Sequence, residues 1–197
     1  MVIYNDLGYW CGQIGYRPPG YADFAINLIK ELYIIAHYPG SVLDVGCAFG
    51  FIVSRIRSLG INAFGVDISG YALSRAFDEV KPYLKQWDVR QLPYADKEFD
   101  FVFSSGVLEH LPADDLNKAV KEIQRVSRRG IMGVSCKDDP TTHEDDDKTH
   151  LVILTQKEWQ GMFLSQYKVI SDSEASWIRN TYSLLVGRLT GRRLDWQ

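Results

Sequence analysis

Apolar positions along this chain follow two alternating rhythms. Short, nearly continuous apolar runs read as strands: SVLDV at 41–45, INAFGV at 61–66, YLKQW at 83–87, FDFVF at 99–103 and GIMGVS at 130–135. Between them, 51–59, 69–80 and 112–127 carry apolar residues at helical spacing. Gly60 is placed to close the first helix and Ser69 to cap the second, while Asp114 and Asp115 suit the positive N-terminal end of the third. Apolar strands alternating with helices predict an α/β fold, a doubly wound and mostly parallel sheet with helices on both faces.

The flanks have a different rhythm. Residues 1–20 are aromatic and rich in Gly and Pro without a sustained period, which predicts an irregular arm packed on the body. In 21–37, Phe24, Leu28, Leu32 and Ile35 recur at helical spacing until YPG stops the helix. After the fifth strand comes a long polar insertion, CKDDPTTHEDDDKTH, and then a short helix that Thr155 and Glu158 can open as a capping box. The last two apolar runs, YKVIS and YSLLVG, are too close together for a crossover helix and predict an antiparallel pair. The expectation is therefore about seven strands with an antiparallel last strand. It forms one domain over 1–197: arm and helix 1–40, ligand-binding core 41–136, polar insertion 137–155, and C-terminal helix and strands 156–197.

Totals narrow the function. A length of 197 residues suits one domain, and a formal charge of -3 argues against a nucleic-acid binder that relies on a basic face. Arg188, Arg192 and Arg193 form a small basic cluster that reads as solvated surface. Cys11, Cys47 and Cys136 are odd in number and lack metal or redox spacing, so they read as reduced thiols. With no basic leader and no long apolar run, the expectation is a cytoplasmic protein without a membrane span.

The chemistry gathers in SVLDVGCAFG. A carboxylate at the end of a strand, followed by Gly46, Cys47, Ala48, Phe49 and Gly50, makes a tight turn where a ligand can approach backbone. In open parallel sheets ligands lie beyond the carboxyl ends of the strands. Asp67 ends the next strand, where an acidic side chain can accept both hydroxyls of a ribose. A nucleoside is the candidate ligand. A dinucleotide needs G-x-G-x-x-G, which this turn lacks, and Asp44 would set a negative charge close to the phosphates. A cationic nucleoside carrying an amino group fits better.

VLDVGCAFG, GVDIS and WDVRQLPYADKEFDFVFSSGVLEHL resemble, in order and from about 42 to 134, the successive motifs of class I (Rossmann-like) S-adenosylmethionine-dependent methyltransferases, and most of all the small-molecule branch with an LEHL-type fourth motif. Ala48 stands where many relatives have a second glycine. The resemblance implies S-adenosylmethionine as cofactor and S-adenosylhomocysteine as product. It also implies roles: Asp44 for the glycine loop and the methionine ammonium, Gly46 and Cys47 with Gly50 for backbone around the methionine part, and Asp67 for the ribose hydroxyls. Ile68 would face the adenine, Asp88 and the Val89 N–H would bond its edge, and Ser104 and Ser105 would lie beside the sulfonium. The Cys47 thiol is given no chemistry, and Asp100, opening the fourth strand, reads as structural.

Methyl transfer to a hydroxyl benefits from a general base, and the candidates are His150, His143 and His110. His37 reads as a helix C-terminal residue instead. The EDDDKT stretch between His143 and His150 admits three readings: a solvated charge run, a general base in which Asp147 orients His150, or a divalent-ion site. No metal is expected on spacing. Trp10, Tyr16 and Arg17, with Tyr9, are candidate lid or substrate contacts, although the aromatics equally suit the core. The expectation is methylation of an oxygen or nitrogen of a small molecule, with sugars and nucleotide-linked metabolites as the acceptor class considered. The rivals are a nucleic-acid methyltransferase and a non-catalytic cofactor-binding subunit.

Overall fold

The computed structural model of the chain describes residues 40–139 and 149–171. Strands β1 (Ser41–Val45), β2 (Asn62–Asp67), β3 (Leu84–Gln86), β4 (Phe101–Ser105), β5 (Gly130–Gly133) and β6 (Tyr167–Ile170) form one sheet in the order β3-β2-β1-β4-β5-β6. Helices α1 (Phe51–Ser58), α2 (Gly70–Ser74), α3 (Ala113–Val126) and α4 (Gln156–Gly161) fall between them, with 3-10 turns at Lys81–Tyr83 and Leu108–His110. Strand order reverses between β1 and β4, so a crevice opens where the chain leaves the carboxyl ends of these two strands.

The central strands β1, β4 and β5 are mostly buried on both faces because each face is covered. On one side Val42, Phe101, Phe103 and Ile131 meet Ile52, Val53 and Ile56 of α1 together with Ala76 and Val80. On the other, Leu43, Val45, Val102 and Met132 meet Leu116, Ala119, Val120 and Ile123 of α3, and Trp159 of α4. The α3 residues recur at three and four, which puts them on one stripe; burying each large aliphatic among them contributes roughly 1.5–3 kcal/mol.

Local signals act as read. The Gly60 N–H bonds the Arg57 carbonyl at 2.9 Å with φ at 80°, the left-handed stop that glycine allows. Ser69 Oγ accepts the Ala72 N–H at 3.1 Å. Thr155 and Glu158 form both halves of the capping box at the start of α4. Asp100 Oδ2 accepts the N–H groups of Gly40 and Ser41 at 2.9 and 3.2 Å, a structural role at the entry of β1. The helix expected over 69–80 is shorter, because Arg75 N–H turns to the Ala72 carbonyl and Ala76 N–H to that of Leu73, three-residue bonds that end α2.

One expectation is corrected. All six described strands are parallel, and the last of them, β6, pairs parallel with β5 in the register Gly130↔Tyr167 to Gly133↔Ile170, so among the described residues the sheet has six strands and no antiparallel last one. The segment 134–166, α4 included, is long enough to carry the chain back over the sheet, which parallel pairing requires. YSLLVG, the expected antiparallel partner, lies outside the described residues, as do the arm and helix of 1–39. No helix among the described residues is long and apolar enough to cross a membrane.

Candidate functional site

The turn after β1 is built from main-chain bonds. Gly46 and Cys47 both donate to the Val66 carbonyl, at 2.8 and 3.1 Å, and the Gly50 N–H closes on the Cys47 carbonyl at 2.7 Å. Gly46, Ala48 and Gly50 have φ of 81°, 44° and 72°. Left-handed backbone costs a non-glycine residue about 1–2 kcal/mol, so Ala48 is the strained member of the three. At Gly46 a Cβ would lie 2.1 Å from Val107 Cγ2, and at Gly50 one would lie 2.7 Å from Leu84 Cδ1. The room left by these two glycines thus admits the protein's own side chains from the β4 and β3 ends, which packs three loops together around the turn.

Asp67 locks this turn from the neighbouring strand. Its Oδ2 accepts the Ala48 N–H at 2.8 Å and its Oδ1 the Ser69 N–H at 2.7 Å. Burial pushes its carboxyl up, while the N–H groups of Ser69, Ala48 and Ile68 pull it back down in part. An ionised carboxylate offers about four lone-pair sites, so these N–H groups leave acceptor capacity for a ligand.

Asp44 is in a different position. It is 2% exposed, and its Oδ2 finds no hydrogen-bond partner among the described residues. Burial pushes its carboxyl well above the usual range and the nearby Asp67 adds to the effect. An unpaired buried carboxylate is costly, and a cationic donor brought by a ligand is what would satisfy it. The same burial, with Asp44 and Asp67, pushes the Cys47 thiol well up, so it is not a thiolate nucleophile at neutral pH.

The remaining walls come from β3 and β4. The Trp87 N–H bonds the Asp67 carbonyl at 2.9 Å, tying the stretch after β3 to the end of β2. Ile68 is exposed at 38% and Trp87 at 45%, leaving apolar surface beside this edge, whereas Val89 is buried. Asp88 is engaged by Arg90, whose backbone N–H and Nε each reach Oδ1 at 2.9 Å. Ser104 is buried with its Oγ unpaired among the described residues, and Ser105 is half-buried beside Gly133.

His110 and His150, 40 residues apart in sequence (150 − 110), meet here. Their ring centroids lie 4.7 Å apart at 64°, and His110 Nδ1 is 3.0 Å from Thr149 Oγ1 and 3.2 Å from the Thr149 carbonyl. Glu109 organises this corner: its carbonyl accepts the N–H groups of Leu151 and Val152 at 2.7 and 3.0 Å, and its buried Oε1 accepts the Ser135 N–H at 3.1 Å. Of the expected site residues, His143, Trp10, Tyr16 and Arg17 lie outside the described residues, as does the acidic stretch with Asp147. Val107, Arg90 and Thr149 were not foreseen. Arg90, two residues after Asp88, was the one with a local signal, since an arginine so close can fold back on a carboxylate.

Residues 43–132 match the family model described as a methyltransferase domain. Among curated proteins the chain is 32% identical over 114 residues to malonyl-[acyl-carrier protein] O-methyltransferase of Halorhodospira halophila, covering 53% of this chain and 37% of the relative. It is 29% identical over 151 residues to ajmaline N-methyltransferase of Rauvolfia serpentina, covering 65% and 51%. The chain thus spans about half or less of these relatives. The crystal structure of the PH0226 protein from Pyrococcus horikoshii OT3 superposes with a TM-score of 0.52 at 26% identity, covering 67% of this chain and 58% of that one.

Proposed function

We propose that this chain, a member of the class I S-adenosylmethionine-dependent methyltransferase family through its domain at 43–132, moves a methyl group from that donor to an oxygen or nitrogen of a small molecule. The observation that carries the reading is the pair of acidic residues at adjacent strand ends: Asp67 holding the glycine turn, and Asp44 buried beside it with an oxygen that lacks a donor among the described residues. A positively charged amino group satisfies that oxygen, and a phosphate does not. The residues present therefore fit S-adenosylmethionine and not a dinucleotide.

In this reading Asp44 faces the methionine ammonium and Asp67 takes the ribose hydroxyls on its remaining lone pairs. Gly46, Cys47 and Gly50 line the amino-acid part with backbone, Ile68 covers one face of the base, and Asp88 and the Val89 N–H meet its edge. Ser104 and Ser105 flank the reacting centre. When bound, the cofactor supplies the methyl carbon that the acceptor attacks. The protein's share is alignment, which can lower such a barrier by roughly 7–11 kcal/mol, together with handling of the acceptor's proton. His150 is assigned as the base, taking that proton at an imidazole nitrogen, with His110 packed edge-on against it and set in orientation by Thr149. The two relatives are named as a malonyl-[acyl-carrier protein] O-methyltransferase and an ajmaline N-methyltransferase, which supports oxygen or nitrogen as the acceptor atom.

The test incubates the purified protein with methyl-labelled S-adenosylmethionine and a metabolite extract, then locates the label by mass spectrometry and NMR. Label on an oxygen or nitrogen of a small molecule is the expected outcome, with His150→Ala slowing turnover about 10²- to 10⁴-fold while cofactor affinity holds. Label on carbon, label in RNA, or cofactor binding without turnover on any acceptor would each overturn the reading. An unimpaired His150→Ala would remove the assigned base.

A further inference from the structure

Among the described strands β3 and β6 are the outer two, and they are protected differently. An outer strand presents a row of unpaired N–H and C=O groups on which another chain can add itself. On one side β3 is three residues long, follows Pro82 closely and exposes Lys85 and Gln86, which makes a short and polar edge. On the other side β6 reads Tyr-Lys-Val-Ile, with Tyr167, Val169 and Ile170 buried and only Lys168 exposed. Aromatic and β-branched residues of this kind suit strand pairing, so β6 is the edge that needs protection.

The Gln166 and Ile170 carbonyls accept the Gly130 and Val134 N–H groups, so the even-numbered positions face β5 while Tyr167 and Val169 turn their main chain outward. Side chains of α4 take those outward groups. Gln160 Oε1 accepts the Val169 N–H at 2.9 Å, and Gln160 Nε2 donates to the Tyr167 carbonyl at 2.9 Å. Gln156 Nε2 donates to the Val169 carbonyl at 3.2 Å, and the Tyr167 N–H turns back to the Leu164 carbonyl at 2.9 Å. Every outward main-chain group of Tyr167 and Val169 therefore has a partner, and none of those partners belongs to a strand. A glutamine amide carries the same acceptor and donor as a peptide group, so Gln160 gives β6 what one residue of a strand laid alongside would give. Gln156 and Gln160 stand four apart on α4, which brings both amides to one edge. Trp159, fully buried with its Nε1–H on the Ser135 carbonyl, anchors the helix without them.

We propose that Gln156 and Gln160 form a side-chain surrogate for a strand, which ends the sheet at β6 and keeps a second copy of this chain from pairing along that edge. A second copy is the occupant excluded, because two β6 strands meeting antiparallel about a twofold axis present the same outward groups to each other and are self-complementary. The inference stands apart from the methyl-transfer reading and uses none of its residues.

The experiment combines amide hydrogen exchange read by NMR with sedimentation velocity, on wild type, Gln160→Met, Gln160→Glu and the double variant Gln156→Met with Gln160→Met. Gln160→Met keeps the length and loses the amide, so at low protein concentration the Val169 N–H should exchange about fivefold faster, the worth of one neutral hydrogen bond, while the Val134 N–H keeps its wild-type rate. Gln160→Glu keeps an acceptor, so its Val169 rate should stay within about twofold of wild type. The double variant frees both outward groups of Val169 and the Tyr167 carbonyl, and should show a faster-sedimenting species that grows with concentration and is absent from wild type. A Val169 rate unchanged in Gln160→Met, or as fast in Gln160→Glu as in Gln160→Met, overturns the surrogate role. A folded double variant that sediments as wild type does at every concentration overturns the sealing of the edge. Should the double variant not fold, the same sedimentation comparison on Gln160→Met decides that point.

Discussion

Asp44→Asn should move stability and binding in opposite directions. The Asp44 carboxylate is 2% exposed, its Oδ2 has no donor among the described residues, and the nearby Asp67 adds repulsion. An unsatisfied buried polar group costs about 1–3 kcal/mol, and more when charged. An amide in its place remains unpaired but loses the charge and the repulsion, a relief of about 1–2 kcal/mol. At about 2–4 °C per kcal/mol for a domain of this size, ligand-free Asp44→Asn should melt about 2–8 °C above wild type near neutral pH. Affinity for S-adenosylhomocysteine should fall about 30-fold or more, since a buried charge pair with the ligand ammonium is worth about 2 kcal/mol or more. The pH dependence follows. With its folded value raised above the unfolded one, Asp44 contributes stability that is present below the unfolded value and lost as pH rises through the folded one. Asp44→Asn should flatten that decline. Differential scanning calorimetry across pH, paired with ligand titration, checks all three; a variant that melts lower than wild type and binds equally well refutes the reasoning.

Gly46→Ala combines left-handed strain at φ 81° with a Cβ 2.1 Å from Val107 Cγ2, and should destabilise by about 2–5 kcal/mol in urea unfolding. Adding Val107→Ala should recover the steric part and leave the strain, so a double variant no more stable than Gly46→Ala contradicts the packing assignment. Trp159 is fully buried and donates Nε1–H to the Ser135 carbonyl at 3.1 Å, so Trp159→Phe should cost about 1–3 kcal/mol and Trp159→Ala about 3–5 kcal/mol by the same assay.

What could be read from the chain was local or periodic. Ser69, Gly60 and the Thr155–Glu158 box act within one turn of helix, so their neighbours in sequence are their neighbours in space. Asp44 and Asp67 could be placed beside each other because alternating strands and helices force their carboxyl ends onto one edge. Contacts between distant segments were not readable. The direction of β6 depends on the path of 134–166, and two apolar runs close in sequence suggested a hairpin instead. Val107 filling the space at Gly46, Glu109 holding 151–152, and His110 meeting His150 each join loops whose relative placement no local pattern encodes. Asp88 illustrates a third case: its position and its engagement by Arg90 two residues on are local, but the reach of the same guanidinium to Asp115 in α3 is not.

Isothermal titration of S-adenosylhomocysteine and of NAD into the wild-type protein and Asp67→Ala decides whether the crevice above β1 and β2 takes an adenosyl amino acid. Saturable binding of S-adenosylhomocysteine, no heat from NAD, and affinity weakened about 10- to 100-fold in a folded Asp67→Ala are the predicted results, the loss corresponding to hydrogen bonds with a charged group. No binding of S-adenosylhomocysteine, or tighter binding of NAD, would contradict it.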